Sequence, residues 1–370
     1  MKTITILALH LGHGGIERYI SLLCKMLDED YKIHVISTYK FPDSPVYHFS
    51  DNVEITYLID DYPDKVSVKK LLKEKHYIQV LKELIHRKKL NHLVMKKNIE
   101  SIQNIDSDYV ITTRIFHHQL VHKYLKNQNV VKIATEHNYH NNDPKYIQDL
   151  ISSVSDFDYV VACTDELYDF YYDKISNLVK IYNGIELSDK ISKLGNKNLI
   201  SVGRLSPEKG YLDLIDVMAL IHRKDKDVHL TICGDGYQRG LVEQKIQEYD
   251  LGDFITLTGF LNGKDLEDQY LNSSLYVLPS ISEAFGLVLL EAMNYGLPCI
   301  AFSRASGARN LLKNDIGILI EDSDMEKMAD NIGQLLNNDK KMKEYQMKSI
   351  ENVKKYSLDN MYNEWKKILK

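Results

Sequence analysis

The sequence predicts an α/β protein made of two doubly wound domains, each on a parallel sheet. Three observations predict this. Short runs of aliphatic and β-branched residues alternate with stretches of helical apolar spacing along most of the 370 residues. Glycine-bearing turns stand where the strands end and the helices begin. The alternation stops in a polar stretch, Glu186 to Asn198, and then restarts, and a chain of this length favours two domains over one or three.

The first half opens with a strand over 3–9, the turn Leu11-Gly12-His13-Gly14-Gly15, and a helix over 16–27 with apolar residues at Ile16, Ile20, Leu23 and Leu27. A strand over 33–37 completes a β-loop-α-β unit. Its glycines do not spell the dinucleotide fingerprint, and no P-loop lysine follows. Further strands are expected at 53–58, 109–113, 130–135 and 159–163, with a helical stretch at 165–172. The second half has strands at 199–202, 229–233, 254–257, 276–278 and 298–302, followed by Gly307 and the run Gly317-Ile318-Leu319-Ile320, with helices at 211–222 and 238–249 and a helical end from Met325. Tyr362, Trp365 and Leu369 share one face of that end.

Composition excludes several classes. Hydrophobic residues make up 44%, enough for real cores, and the net charge of −5 argues against a nucleic-acid binder. No apolar run reaches the ~18 residues of a membrane span. Residues 1–10 are too short for a signal-peptide core and read as the first strand. Cys24, Cys163, Cys233 and Cys299 are far apart with no Cys-x-x-Cys, as expected of packed, reduced thiols in a cytoplasmic protein; no metal site is expected.

Residues 65–97 depart from the chain's acidity. They hold eleven Lys or Arg (Lys65, Lys69, Lys70, Lys73, Lys75, Lys82, Arg87, Lys88, Lys89, Lys96, Lys97) against Glu74 and Glu83, net +9, which leaves −14 for the remainder. Apolar residues at Ile78, Leu81, Leu84 and Ile85 make this a basic amphipathic helix or helix pair. It is either a surface for anionic lipid or an acidic acceptor, or a solvated helix. The lipid reading puts the protein peripherally on the inner face of the plasma membrane.

Chemistry concentrates in the second half. Tyr276 to Leu278 is the end of a buried strand, Pro279 to Ser282 a turn, and a largely apolar helix begins at Phe285. Glu283 precedes that helix and Glu291 lies about 9 Å along it from Phe285. Gly286, Leu287 and Val288 bring backbone N–H groups to a helix N-terminus, which attracts phosphate. Arg204 and Lys209 share another strand-end loop with Gly203 and Gly210, and both cations suit phosphate oxygens. Gly234-Asp235-Gly236 and Gly259-Phe260-Leu261 follow the next strands. In a parallel sheet all these loops converge on one edge, so a ligand site is expected there. In the first half, Glu136-His137-Asn138 follows a strand; a His at a strand end can hydrogen-bond or act on a ligand hydroxyl, whereas a lone His in a loop is more often inert, and His117, His118 and His140 are weaker candidates. Asp106-Ser107-Asp108 and Asp322-Ser323-Asp324 have metal-site spacing but stand at polar junctions between helix and strand.

The ordered set Gly203-Arg204-x4-Lys209-Gly210, Gly234-Asp235-Gly236, Gly259-Phe260 and Glu283-x7-Glu291 with Phe285-Gly286 resembles glycosyltransferase family 4. The first half resembles it more loosely, through Gly14-Gly15, Glu136-His137 and Asn183-Gly184. The resemblance implies the GT-B architecture, two Rossmann-like domains facing across a cleft. It implies an acceptor-side domain over 1–182 joined by a C-terminal helix over 355–370, a linker over 183–198, and a donor-binding domain over 199–354.

The resemblance also implies retaining transfer of a hexosyl unit from a nucleoside diphosphate sugar, UDP-linked, to an acceptor hydroxyl of a glycan or lipid-linked saccharide. Arg204 and Lys209 would bind the diphosphate and Glu283 the transferred sugar. Glu291 would hold the ribose, and Phe285, Gly286 and Leu287 would present amides. The backbone at Phe260-Leu261 would receive the base, Gly14 and Gly15 would let a loop approach the donor, and His137 would lie by the reacting face. No tightly bound cofactor is implied. Two departures bear on the sugar: Tyr182 stands where the family often has Pro, and Asn310 or Arg309 occupies the region of a usual Glu. A nucleotide-sugar 2-epimerase of the same fold and a non-catalytic sugar-nucleotide-binding subunit are the alternatives.

Overall fold

The computed structural model describes residues 1–60, 71–72 and 75–370. It forms two compact units. The first comprises Met1–Cys163, Tyr168–Ile181 and Glu364–Lys370, and the second Thr164–Leu167 and Tyr182–Asn363.

In the first unit the strands β1 (Thr3–Ala8), β2 (Lys32–Tyr39), β3 (Val53–Ile59), β4 (Tyr109–Thr112), β5 (Val131–Glu136), β6 (Tyr159–Ala162) and β7 (Leu178–Lys180) make one sheet in the order β3-β2-β1-β4-β5-β6-β7. Every pairing is parallel, and Ile4 on β1 stands between Ile33 and Tyr109. Such strands are buried on both faces, which is why Ile4, Ile6, Val110 and Ile111 are inaccessible and the runs read as continuously apolar. The helices are α1 (Gly15–Leu27), α2 (Tyr77–Gln103), α3 (Ile115–Tyr124) and α4 (Pro144–Ser153), and α5 (Asp165–Tyr171) follows β6. Helix α1 buries Ile20, Leu23 and Leu27 of the stripe that its spacing predicts, with Cys24 beside them, while Ile16 in its first turn is only half-buried. Asp143 caps α4 by accepting from the Lys145 and Tyr146 N–H groups, with Pro144 in the first turn. The β7 strand went unread because only three residues, half-buried at Leu178 and Val179, carry it.

From Tyr77 onward the basic segment lies on helix α2, but the helix does not pack through the residues that its spacing singled out. Lys65, Lys69, Lys70, Lys73 and Glu74 lie outside the described residues. Helix α2 docks through Leu90 and Val94 against Ile59, with Tyr39, Leu58 and Phe116 around them. Ile78, Leu81, Leu84 and Ile85 are instead exposed.

In the second unit β8 (Asn198–Val202), β9 (His229–Cys233), β10 (Ile255–Gly259), β11 (Leu275–Leu278), β12 (Cys299–Phe302) and β13 (Ile318–Ile320) form a parallel sheet in the order β10-β9-β8-β11-β12-β13. Helices α6 (Tyr211–His222), α7 (Arg239–Glu248), α8 (Gly263–Leu271), α9 (Leu287–Asn294), α10 (Ser306–Leu312), α11 (Met325–Leu336) and α12 (Asp339–Val353) accompany it, and α13 (Leu358–Trp365) ends the helical series. Helix α8 was missed because its sequence, GKDLEDQYL, is polar and buries only Tyr270. Helix α9 starts two residues later than Phe285, because Gly286 takes a left-handed φ of 87°. Leu214, Met218, Leu230, Ile232, Val277, Ile300, Met328 and Ile332 form part of the second core. All four cysteines are free and buried. Among the described residues no helix is long and apolar enough to cross a membrane.

Leu230 is fully buried on β9 within this core. Leu230→Ala should lower the stability of the second unit by about 2–5 kcal/mol. Urea unfolding followed by tryptophan-independent probes such as far-UV circular dichroism checks this, and an unchanged midpoint would contradict the packing described.

Candidate functional site

Both sheets reverse their strand order beside a central strand, between β1 and β4 in the first unit and between β8 and β11 in the second. At such a switch point the loops leaving adjacent strands diverge to opposite faces and leave a crevice at the carboxyl edge. In the second unit the two flanking loops are 203–210, with Arg204 and Lys209, and 279–286, with Glu283.

Backbone hydrogen bonds join these loops. The Ile281 and Ser282 N–H groups donate to the Glu208 carbonyl at 2.9 and 3.2 Å. Gly210 has a left-handed φ of 67°, and a Cβ there would stand 2.2 Å from the Pro279 carbonyl oxygen. Arg304 holds the same loop from the β12 side, donating to the Pro279 carbonyl at 2.8 Å and to Asp213 at 2.6 Å. The result is a fixed seat for two side chains: the Lys209 ammonium is ion-paired with Glu283, and both are mostly buried. Arg204 is more exposed, and among the described residues its only ion pair is a 3.9 Å contact with Glu208, which accepts a hydrogen bond from the Ser206 hydroxyl at 2.6 Å. One buried cation–carboxylate pair beside one exposed guanidinium can accept a bound anion and a hydroxyl-bearing group together.

The neighbouring strand ends close the edge. A Cβ on Gly234 would lie 1.8 Å from the Gly203 carbonyl oxygen, so the β8 and β9 loops touch through their backbones. The Gly234 N–H donates to Gly259 at 2.8 Å, which extends the contact to β10. Phe260 and Leu261 follow directly, with Phe260 39% exposed. Glu291 sits within α9 and accepts a hydrogen bond from the buried Tyr270 hydroxyl at 3.2 Å. Burial, and then the Glu291 charge, raise the Tyr270 phenol well above its ordinary value, so it stays a donor.

The start of α9 is braced by α10. The Gly307 N–H donates to the Glu283 carbonyl at 2.7 Å. Helix α10 is held in turn by Glu166, which receives both Arg309 at 2.8 and 3.0 Å and the Ser306 hydroxyl at 2.5 Å. Arg309 is therefore engaged with Glu166. Asn310 is buried, and its side-chain N–H group has no hydrogen-bond partner among the described residues. Tyr182, where a proline was expected, donates to Asp165 at 2.5 Å. Sequence reasoning missed Glu166 and Arg304. Neither lies in a glycine-marked loop, and their partners are distant in sequence.

In the first unit, Gly14 and Gly15 stand at the start of α1. A Cβ on Gly14 would lie 2.1 Å from the Glu17 carboxylate, which is buried and paired with Arg114 at 2.6 Å. His137 follows β5, shares a hydrogen bond with Thr135 at 2.8 Å, and packs on Tyr19 at 4.2 Å. Burial, and then the Arg114 charge, push its pKa down to about 3, so the imidazole is neutral at pH 7. His117 and His118 are buried beside Thr38 and Thr112, and His140 stacks on Phe170, which gives all three packing roles. Glu136 is buried, accepting from the Asn138 N–H at 2.6 Å and the Tyr146 hydroxyl at 2.9 Å, and burial raises its pKa to about 7. Asp108 accepts from Thr3, and Asp324 caps α11, so both Asp-x-Asp pairs serve junctions. Among the described residues no group of three His, Cys, Asp or Glu gathers to hold a metal ion.

Comparison with known proteins fits this geometry. Residues 185–356 match the family described as Glycosyl transferases group 1. An uncharacterized glycosyltransferase of Haemophilus influenzae is 26% identical over 379 residues, spanning 100% of both chains. A poly(ribitol-phosphate) alpha-N-acetylglucosaminyltransferase of Staphylococcus aureus is 33% identical over 195 residues, 52% of this chain and 38% of that one. Other curated relatives are also matched over only 39% of their own length. Among solved structures, S. aureus TarM in complex with Fondaparinux, alpha-GlcNAc-glycerol and UDP superposes with a TM-score of 0.79 at 16% identity, covering 100% of this chain and 99% of that one. The pneumococcal O-GlcNAc transferase GtfA with UDP and GlcNAc gives 0.77 at 17%, covering 100% and 98%. The fold is that of the GT-B glycosyltransferases. Along its length the chain is similar to a glycosyltransferase, and the stretch that matches the Glycosyl transferases group 1 model lies within its second unit.

Two outcomes follow from the geometry. The folded-state pKa of Glu136 lies above its unfolded value of 4.5. Between there and about pH 7 the unfolded chain ionises first, so the native state loses stability as pH rises through that window. Wild type should therefore lose urea stability relative to Glu136→Gln between pH 5 and 8, and parallel curves would contradict this. His117, His118 and His137 lose stability in the opposite sense, as pH falls below 6.5, and cancel in the comparison. Secondly, a double-mutant cycle on Glu166→Gln and Arg309→Gln should give a coupling of up to about 1 kcal/mol in the stability of the second unit; additive effects would deny the clamp.

Proposed function

We propose that the protein is a retaining glycosyltransferase that moves a hexosyl unit from a UDP-linked sugar to a hydroxyl of a glycan or lipid-linked saccharide. The observation that carries this reading is the Lys209–Glu283 pair, seated at the switch point of the second sheet with Arg204 beside it. On donor binding, Lys209 and Arg204 would turn to the diphosphate and Glu283 to the sugar hydroxyls. The cations and the amides of Phe285, Gly286 and Leu287 would offset charge growing on the departing phosphate, a large electrostatic contribution in sites of this kind. Glu291 would hold the ribose, kept in place by Tyr270. Gly203 and Gly234 would let the backbone approach the donor, and Phe260 and Leu261 would receive the base.

Retention follows if the acceptor attacks from the face that the phosphate leaves, with that phosphate taking the acceptor's proton. His137, neutral at pH 7, would hydrogen-bond a hydroxyl near the reacting centre, and Gly14 and Gly15 would admit the donor to the first unit's loop. UDP is favoured because it is the nucleotide bound in TarM and GtfA. Transfer to a hydroxyl of a polymeric acceptor is in keeping with the S. aureus relative named for poly(ribitol-phosphate). Contact of the basic segment 65–97 with an anionic membrane belongs to the same reading, since lipid-linked acceptors lie at membrane faces, and gives a peripheral cytoplasmic location.

Incubation with a panel of nucleotide-sugars, with and without membrane-extracted acceptors, tests the reaction. Nucleotide release dependent on acceptor is expected, and the anomeric configuration of the product reads the stereochemistry. Consumption of donor without a glycosylated product, with a 2-epimer formed, would favour the epimerase; no consumption at all would favour the binding subunit. Glu283→Ala and Lys209→Ala should each lower kcat/KM by about 100-fold or more, and unchanged rates would remove them from the site.

A further inference from the structure

Helix α2 has two apolar faces, and only one is used by the fold. Val80, Leu90, Val94 and Ile102 are buried toward the first unit. Tyr77, Ile78, Leu81, Leu84 and Ile85 recur at i, i+1, i+4, i+7 and i+8, which places them on a single stripe. They are 64%, 74%, 60%, 50% and 48% exposed. Five large apolar side chains left together in water on three turns mark a contact surface rather than scattered surface residues.

Charge identifies what the stripe meets. Lys82 and Lys89 lie along one flank of it, and Lys88 stands on its C-terminal continuation. Among the described residues these three make no ion pair, whereas Arg87, on the side toward the fold, is paired with Glu83 at 2.6 Å. The helix as a whole carries six Lys or Arg against two Glu in a chain of net −5. A bilayer of anionic lipid offers the matching layers: negative headgroups at the level of long lysine side chains, and acyl boundary just beneath.

We propose that α2 lies in the plane of an anionic membrane surface, with Tyr77, Ile78, Leu81, Leu84 and Ile85 inserted at the acyl boundary and Lys82, Lys88 and Lys89 among the headgroups. This deepens the membrane contact proposed above by assigning it to partial insertion rather than to charge attraction alone. The two differ in a measurable way, because attraction between exposed charges is screened by salt and insertion is not.

The test is co-sedimentation of the full chain with vesicles of phosphatidylcholine alone or with phosphatidylglycerol, at low salt and at 0.5 M NaCl (about 4 Å Debye length). Wild type should bind only the anionic vesicles and keep a clear part of that binding at high salt. Ile78→Ser/Leu81→Ser/Ile85→Ser should weaken binding ~10-fold or more, and Lys82→Gln/Lys88→Gln/Lys89→Gln should weaken it at low salt. The serine substitutions fall on exposed positions, so the circular dichroism melt should be unchanged. Equal binding by the serine variant, complete loss of wild-type binding in salt, or absence of binding to anionic vesicles would each overturn the proposal. Self-association that disappears in the serine variant, without vesicle binding, would assign the stripe to a second copy instead. Donor turnover with a soluble acceptor, measured in parallel, separates failure here from failure of the glycosyl-transfer reading.

Discussion

All strands of each sheet run the same way, and this constraint governs the rest of the molecule. Parallel pairing requires each crossover to return to the same end, so every loop that leaves a strand's carboxyl end lies along one edge. In the second unit that rule brings together residues as distant in sequence as Gly203, Gly234, Gly259 and Glu283. At the reversal between β8 and β11 two of those loops leave adjacent strands, and they stay bonded to each other through Glu208 and Ile281.

The bracing around that edge is mostly polar and comes from outside the loops that carry the candidate chemistry. Arg304 reaches from β12 to the Pro279 carbonyl and to Asp213. Glu166 reaches from the start of α5 to Ser306 and Arg309, and Gly307 passes the constraint to the Glu283 backbone. A site whose side chains must meet a charged ligand needs supports that do not themselves compete for it. Arg309 illustrates the point, since its guanidinium is committed to Glu166 rather than to the crevice.

Most of the fold was legible in the sequence because two-sided burial writes parallel strands as apolar runs. Ile4 to Ala8 and Leu275 to Leu278 are examples. The second-unit loops that meet at one sheet edge were legible because glycine and cations mark them. What was not legible depended on long-range geometry. The stripe at Ile78, Leu81, Leu84 and Ile85 has the period of a core face, yet the fold buries the other side of α2 through Leu90 and Val94. Periodicity shows that a helix has an apolar side; it does not show which side the domain covers. Likewise Glu166 carries no local signal, and Arg309, noticed only as standing in the region of a usual glutamate, acquires meaning once its partner across 143 residues of chain is known. The β7 strand and helix α8 escaped because one is three residues long and the other buries a single tyrosine.

The four cysteines have a practical consequence. Each is buried and unpaired, and burial raises the thiols of Cys24, Cys163 and Cys299 above the ordinary range and that of Cys233 to about 11. Thiolate is the form that alkylates and oxidises, so the native chain is nearly silent toward thiol reagents at neutral pH. A single cysteine placed on an exposed helix face would then be the dominant reactive thiol, without removal of the native four. The molecule is thereby suited to carry one spectroscopic label at a chosen position.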